Sequence, residues 1–258
     1  MRCLAVMNQK GGVGKTTTTI NLSHALAEQG YKVTAIDLDP QSHLSLGMGA
    51  QEANNKGLYT VFFDQALLDE IVIPITDRLG LDKLSLIAAG EKLGEVEVGL
   101  KGGAERGWIL KKAIKNSKQC QESDFVLLDC PPSSGLLGMN ALFAADELLI
   151  PVSSDFLSLH GASRMVGIID FIDKTMKQNS KKWFVITRYH GRRKLSQEVK
   201  EKLTEYFKSE VLATPVRESV ALAESPSYGQ SIFDYQPGSN GAEDYRKLAD
   251  DLLHERVM

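Results

Sequence analysis

The chain has 258 residues, 43% of them hydrophobic and 24% charged, with a net charge of −3. That length suits one large α/β domain as well as two small ones, and it buries a core without covalent staples. The charge excludes a polycation, so any nucleic-acid contact must come from a local patch.

The apolar run Cys3-Leu4-Ala5-Val6-Met7 predicts a strand, and it leads into Asn8-Gln9-Lys10-Gly11-Gly12-Val13-Gly14-Lys15-Thr16-Thr17. Thr16 to Gln29 reads as a helix that Gly30 stops. Strand, glycine loop and helix in that order are the setting of a phosphate-binding loop. Gly11, Gly12, Val13 and Gly14 would bring backbone N–H groups against phosphate oxygens, and the helix adds its positive end. Lys15 would sit on the β/γ-phosphates, the Thr16 hydroxyl would ligate Mg²⁺, and Thr17 would line the same loop. The strict pattern G-x-x-x-x-G-K-[ST] is not met, because Gln9 stands where its first glycine belongs and a second lysine, Lys10, follows. A glycine-rich turn without a ligand is the bland alternative, and two lysines beside two threonines weigh against it.

Tyr31 to Ile36 predicts a second strand, ending in Asp37-Leu38-Asp39-Pro40-Gln41. A β-α-β order implies a right-handed crossover and a parallel sheet, whose carboxyl ends carry the ligand crevice. Asp37 and Asp39 would point there, although Asp-Pro is also a common turn opener. Ser42 to Lys56 reads as loop with weak helical content, Leu58 to Glu70 as helix, and Leu84 to Ala88 as strand. Ala104 to Lys118 reads as an amphipathic helix with Trp108 and Ile109 inward.

Phe125-Val126-Leu127-Leu128-Asp129 is a continuous apolar run ending in a carboxylate, which fits a buried parallel strand. Asp129 sits where a Walker B carboxylate would hold Mg²⁺. A strand follows over Ala144 to Val152, carried by Glu147-Leu148-Leu149-Ile150-Pro151-Val152, then a helix at His160 to Met176 and a strand at Trp183 to Thr187. A helix at Leu195 to Phe207 would turn Leu195, Val199, Leu203 and Phe207 to one face. Pro215 to Gln230 returns as loop, and Asn240 to Leu253 forms the final helix. His160 reads as a cap or surface residue, since five scattered histidines make no metal spacing. No repeat or linker cuts the chain, so one P-loop domain over residues 1–258 is expected.

Cys3, Cys120 and Cys130 form no CxxC pair, and the apolar settings of Cys3 and Cys130 suit buried thiols and a reducing cytoplasm. No signal peptide precedes the first strand, and no apolar run approaches the ~18 residues of a membrane span. From Lys174 to Gln197 there are eight Lys or Arg and no acid. The total being −3, the remainder carries −11, an asymmetry expected of a localised electrostatic footprint. A solvated basic face is the alternative reading.

The segments K-G-G-V-G-K-T-T, D-L-D-P-Q and D-C-P-P-S together resemble the deviant Walker A ATPases, which include ParA partition proteins, MinD and the nitrogenase iron protein. With Val220-Ala221-Leu222-Ala223-Glu224-Ser225-Pro226-Ser227-Tyr228-Gly229, the likeness to ParA covers nearly the whole chain. It implies a mostly parallel twisted α/β sheet with helices on both faces, using ATP and Mg²⁺ with slow intrinsic turnover. Lys10 would reach across a homodimer to the partner's nucleotide, Asp39 would orient the attacking water, and Asp37 would stand near the phosphates and the metal. Thr187, Arg188 and the backbone of Val216-Arg217-Glu218 would lie near adenine. ParA-like proteins also carry a DNA-contacting arginine in the loop matching His190-Gly191-Arg192-Arg193-Lys194. Arg192 and Arg193, helped by Lys194 and Arg217, would bind nonspecific double-stranded DNA, placing the protein in the cytoplasm on the nucleoid.

A ParB-like or cargo-specific adaptor would stimulate hydrolysis and release, the cargo being a plasmid, a chromosome or a protein assembly such as a carboxysome or chemotaxis cluster. Where some relatives carry a second basic residue, this chain has Ala221. A MinD-like membrane ATPase is one alternative. The tail speaks against it, since Glu243, Asp244, Asp250, Asp251 and Glu255 would put acid on the outer face of the last helix, with Tyr245, Leu248, Leu252 and Leu253 docking on the core. A metabolic P-loop ATPase acting on a small substrate is the other alternative, and the sequence offers no further polar constellation for one.

Overall fold

Successive residues of a strand point to opposite sides of a sheet, and the first strand already divides this molecule in two. In β1 (Arg2–Val6), Cys3 and Ala5 enter one apolar layer, while Leu4 and Val6 enter the other. The computed structural model describes residues 1–50, 56–75, 82–100, 103–133, 135–176 and 179–258, without the side chains of Phe156, Leu159 and His160. The roles read for His160, for Lys177 and for the part of the 42–56 loop at 51–55 therefore lie outside the described residues.

Six more strands follow: β2 (Val33–Asp37), β3 (Val72–Ile75), β4 (Leu84–Ile87), β5 (Phe125–Asp129), β6 (Glu147–Ser153) and β7 (Lys181–Thr187). They form one seven-stranded sheet in the order β3-β4-β2-β5-β1-β6-β7, parallel throughout except for the antiparallel β3–β4 pair. The strands β2, β5 and β6 are buried along their whole length, as strands covered on both faces must be. Among the described residues, six helices of eight residues or more cover the faces: α1 (Lys15–Glu28), α2 (Ile109–Asn116), α3 (Leu136–Ala144), α4 (Phe156–Met176), α5 (Lys194–Tyr206) and α6 (Asn240–His254). The layer of Leu4 and Val6 is closed by α1 and α6, the opposite layer by α2 to α5. The mostly parallel α/β sheet with helices on both faces is therefore as expected. From β1 the chain runs to β2 on one side, and later to β6 and β7 on the other. The crevice at the carboxyl ends of β1, β5 and β2 lies at that switch point.

Several expected elements need correction. The edge strand β3 lies where no strand was expected; it contains Pro74, which an edge tolerates because one of its sides carries no ladder. The single helix expected over 104–118 is a 3-10 turn (Ala104–Trp108), then α2, and it ends where Ser117 becomes extended and caps the next short helix through Cys120 N–H. Leu110 and Ile114 are its buried residues, whereas Trp108 and Ile109 are half-buried. The helix expected over 58–70 reaches only Tyr59–Phe63, because Gln65 takes φ 56°, and resumes as a 3-10 turn at Leu68–Glu70. On α5, Val199 and Leu203 are buried and Phe207 packs against the core, but Leu195 is 47% exposed. The acidic outer face of α6 is corrected too, since Asp244 and Asp251 are buried.

Candidate nucleotide-binding site

The glycine loop turns through positive φ at Gly12 (74°) and Gly14 (89°), and Gly14 is also the residue from which α1 starts. These are the two positions where the loop needs a residue without Cβ. Thr18 N–H closes the first helical bond, to the Gly14 carbonyl. The N–H groups ahead of it therefore open toward the loop, with no acidic side chain in the first turn to occupy them. Lys15 is buried, and its ammonium lies over the loop, donating to the Lys10 carbonyl at 3.2 Å. Burial holds Lys15 below its ordinary pKa, against the raising pull of Asp129. The loop is shut from behind by Thr187, whose hydroxyl donates to the Val13 carbonyl at 2.8 Å.

Asp37 and Asp129 are paired residues of adjacent strands, both fully buried. Asp129 accepts from the Thr16 hydroxyl at 2.8 Å and the Thr19 hydroxyl at 3.3 Å. Asp37 accepts from the Ser45 N–H at 2.9 Å, the Ser45 hydroxyl at 2.7 Å and the Asp39 N–H at 3.1 Å. Burial pushes the Asp37 carboxyl up to about 6, more than the Ser45 bonds lower it. Asp129 is raised well above the carboxylate range by burial and by Asp37, which Thr16 and Lys15 only partly offset. Two buried carboxylates facing one buried lysine make a site short of positive charge, and a divalent cation fits it. No group of three or more metal-ligating side chains stands together among the described residues. That suits Mg²⁺, which takes one or two protein ligands and fills its sphere with water and phosphate oxygens. Asp39 is buried beside this pair, and its carboxylate accepts the Gln41 N–H at 2.9 Å, so the Asp-Pro turn is real whatever else Asp39 does.

Lys10 does not point into its own loop. Its ammonium donates to Asp155 at 2.6 Å and to the Ser158 hydroxyl at 2.9 Å, and its side chain stays 33% exposed. Asp155 also caps α4 by accepting Ser158 N–H at 2.9 Å. Burial raises the Asp155 carboxyl, and the bonds from Lys10, Ser153 and Ser158 together more than reverse this and hold it far below its ordinary value. Asn8 fixes the base of the loop, donating to the Pro151 carbonyl at 2.8 Å and accepting Lys10 N–H at 3.0 Å.

A cleft of about 400 Å³ opens beside the loop, lined among others by Gly14, Thr17, Thr187, Arg188, Val216, Arg217 and Glu218. All five residues expected near adenine thus share one cleft with the phosphate loop. Arg188 takes the left-handed φ of 51° and is steadied by the Ser154 hydroxyl, which donates to its carbonyl.

The basic stretch is not one patch. Lys181 and Lys182 lie at the amino end of β7, about 20 Å of strand from Thr187 at its carboxyl end. There Lys181 pairs with Glu255, and Lys182 with Asp170 and Asp173. At the carboxyl end, Arg193 pairs with Glu218 at 2.8 Å and Lys194 with Glu198 at 3.6 Å. Arg217 is taken up by Asp244 and Glu243, which leaves no surplus positive charge at that position. Arg192 is exposed and forms no ion pair among the described residues. Sequence reasoning missed Ser45, for which a polar loop gave no signal. It also missed Asp155, which an N-cap reading five residues upstream of the expected helix start would have flagged.

The family model described as an AAA domain matches residues 1–182. The chain is 35% identical over 253 residues to the sporulation initiation inhibitor protein Soj of Bacillus subtilis (strain 168), spanning 97% of this chain and 98% of that protein. It is 34% identical over 254 residues to the chromosome partitioning protein ParA of Myxococcus xanthus, spanning 98% and 88%. Among solved structures, cobyrinic acid a,c-diamide synthase from Mycobacterium smegmatis with bound ADP and magnesium superposes with a TM-score of 0.81 at 29% identity, over 98% of this chain and 94% of that one. Two lysines in one glycine loop, a carboxylate pair behind it and full-length similarity to Soj and ParA agree: the chain belongs to the ParA-type family of deviant Walker A partitioning and positioning P-loop ATPases.

Proposed function

We propose that this chain is an ATP-switched positioning protein that closes into a dimer on ATP with Mg²⁺, rides on nonspecific DNA, and lets go when an adaptor stimulates hydrolysis. The observation that carries this reading is the orientation of Lys10: Lys15 serves its own loop, and Lys10 stands outside it at a partly exposed lip. A lysine so placed can supply charge to a second copy's nucleotide, as an arginine finger does. Thr16 and Asp129, with Asp37 behind them, would hold Mg²⁺, which neutralises charge on the β- and γ-phosphates when bound. The loop N–H groups and Lys15 bind and orient the phosphates, while Asp39 orients the water. Intrinsic turnover is slow because the water is fully positioned only once the adaptor is engaged.

The basic loop is mechanically close to the nucleotide. It starts directly after Thr187, which holds the phosphate loop, and Arg193 grips Glu218 of the base cleft. Arg192 is the leading DNA contact, with Arg193 and Lys194 beside it once their acidic partners are displaced. A MinD-like membrane role has no support in α6, which spends its apolar residues on the core, and no helix among the described residues is long and apolar enough to cross a membrane. Small-substrate chemistry would need room across from the phosphates. The cavity beside Asn8 and Gln9 holds only about 30 Å³ and is walled by Met7, Met139, Leu142 and Met165.

Binding to a random-sequence duplex at several salt concentrations tests the reading. Binding is expected with ATP and not with ADP, falling steeply with salt. Arg192→Glu should weaken it by at least tenfold without altering nucleotide affinity. No duplex binding in any nucleotide state would refute the DNA part and favour a protein or small-molecule target.

A further inference from the structure

Asp244 and Asp251 stand seven residues apart on α6, so two helical turns bring them to one face. That face is turned inward, leaving the two carboxylates 3% and 2% exposed. Neither serves the helix itself. Asp251 accepts the Thr214 N–H at 2.7 Å, and Asp244 accepts the Arg217 N–H at 2.8 Å. Each also meets an arginine: Arg256 bonds Asp251 at 2.9 Å, and the Arg217 guanidinium bonds both oxygens of Asp244 at 2.6–3.0 Å. The segment from Thr214 to Arg217 is therefore pinned at both ends to the last helix. The same segment forms a wall of the cleft through Val216 and Arg217. Between the two carboxylates and the loop helix, Tyr245 lines that cleft and its hydroxyl shares a hydrogen bond with Thr18 of α1 at 3.2 Å.

We propose that Asp244, through Arg217, is a positioning residue that sets the base-binding wall of the cleft, so that ATP is held by its base only while α6 is docked. The proposal rests on the nucleotide reading of the cleft. The phosphate loop is held by side-chain bonds of Thr187 and Asn8, whereas the wall is held by Asp244 and Asp251 and by the end of β7, Val216 bonding Ile186 at 2.8 Å and Tyr189 at 3.0 Å. A fault in the clamp should therefore cost affinity for the nucleoside part and spare affinity for a bare phosphate chain.

Titration calorimetry with Mg²⁺ and either ATP or inorganic tripolyphosphate separates the two. Asp244→Asn should weaken ATP binding by about tenfold or more, the loss of a charge-assisted hydrogen-bond pair, while tripolyphosphate binding stays within about twofold. Arg217→Ala, at a side chain 40% exposed, should reproduce the effect without endangering the fold, and the double variant should be no worse than Asp244→Asn alone. Arg246→Ala breaks a different tie of α6, to Glu28, and should leave both affinities unchanged. Equal loss for both ligands would make the clamp a mere fold support, and unchanged ATP affinity would remove its role; either overturns the proposal. Lys15→Ala run in the same assay guards the premise, because retention of both ligands there would sink the nucleotide reading itself.

Discussion

Lys15 is the residue on which the proposed phosphate site would depend. It is buried, its ammonium is held over the loop, and burial lowers its pKa. Lys15→Ala should lower ATP affinity by at least a hundredfold, read by equilibrium binding, with the fold unchanged by circular dichroism. Normal affinity would move the phosphates elsewhere. Lys15, Thr16 and Asp129 were legible in the sequence because spacing and a strand-ending carboxylate fix their place. Ser45 and Asp155 were not, since what makes them matter is contact with another element: Ser45 with Asp37 at the end of β2, and Asp155 with Lys10, 145 residues away. Arg217 shows the opposite failure: the sequence displays its charge but hides the two carboxylates that meet it.

At the scale of elements, buried strands announced themselves as apolar runs: β1, β2, β5 and β7 were read within two residues of their ends, and β6 within three. The strand β3 was not, because Pro74 interrupts the pattern a ladder prefers. The helix α3 was overlooked because its sequence is apolar on nearly every side, which erases the period. The sheet also carries a structural test at its far end from the loop. Glu147 opens β6, takes both Nε and Nη2 of Arg2 at 2.6 and 2.8 Å, and accepts the Trp183 indole N–H at 2.6 Å. Burial raises its carboxyl, and the Arg2 and Trp183 bonds more than reverse that, leaving it below the ordinary 4.5. The lowered carboxyl stabilises the fold above pH 4.5, and that stabilisation fades as pH falls through the folded value. Glu147→Gln should therefore cost about 2 kcal/mol at pH 7 by urea unfolding, and the difference from wild type should shrink in acid. A difference that grows on acidification would contradict the assignment.

On the scale of the whole molecule, the proposed switch turns on the Lys10–Asp155 pair. In this structure Lys10 is held by its own chain; in the proposed dimer it would be given to the nucleotide of a second copy, one anionic partner exchanged for another, and a part-exposed ion pair is weak enough for that exchange. In the proposed cycle hydrolysis would separate the copies again, so a variant that binds ATP but positions the water badly should collect as dimers. Asp39→Ala is that variant, and its turnover should fall at least tenfold while its ATP affinity stays near wild type. The proposed DNA contact would fall to Arg192 and its loop, since Lys181 and Lys182 lie at the other end of β7. The most direct measurement of the central claim is solution mass by light scattering on Asp39→Ala with ATP and Mg²⁺, with ADP, and with Lys10→Ala added. The account predicts the mass of two chains with ATP, of one chain with ADP, and of one chain with ATP once Lys10 is removed. A single-chain mass with ATP in Asp39→Ala, or a dimer indifferent to the loss of Lys10, would contradict it.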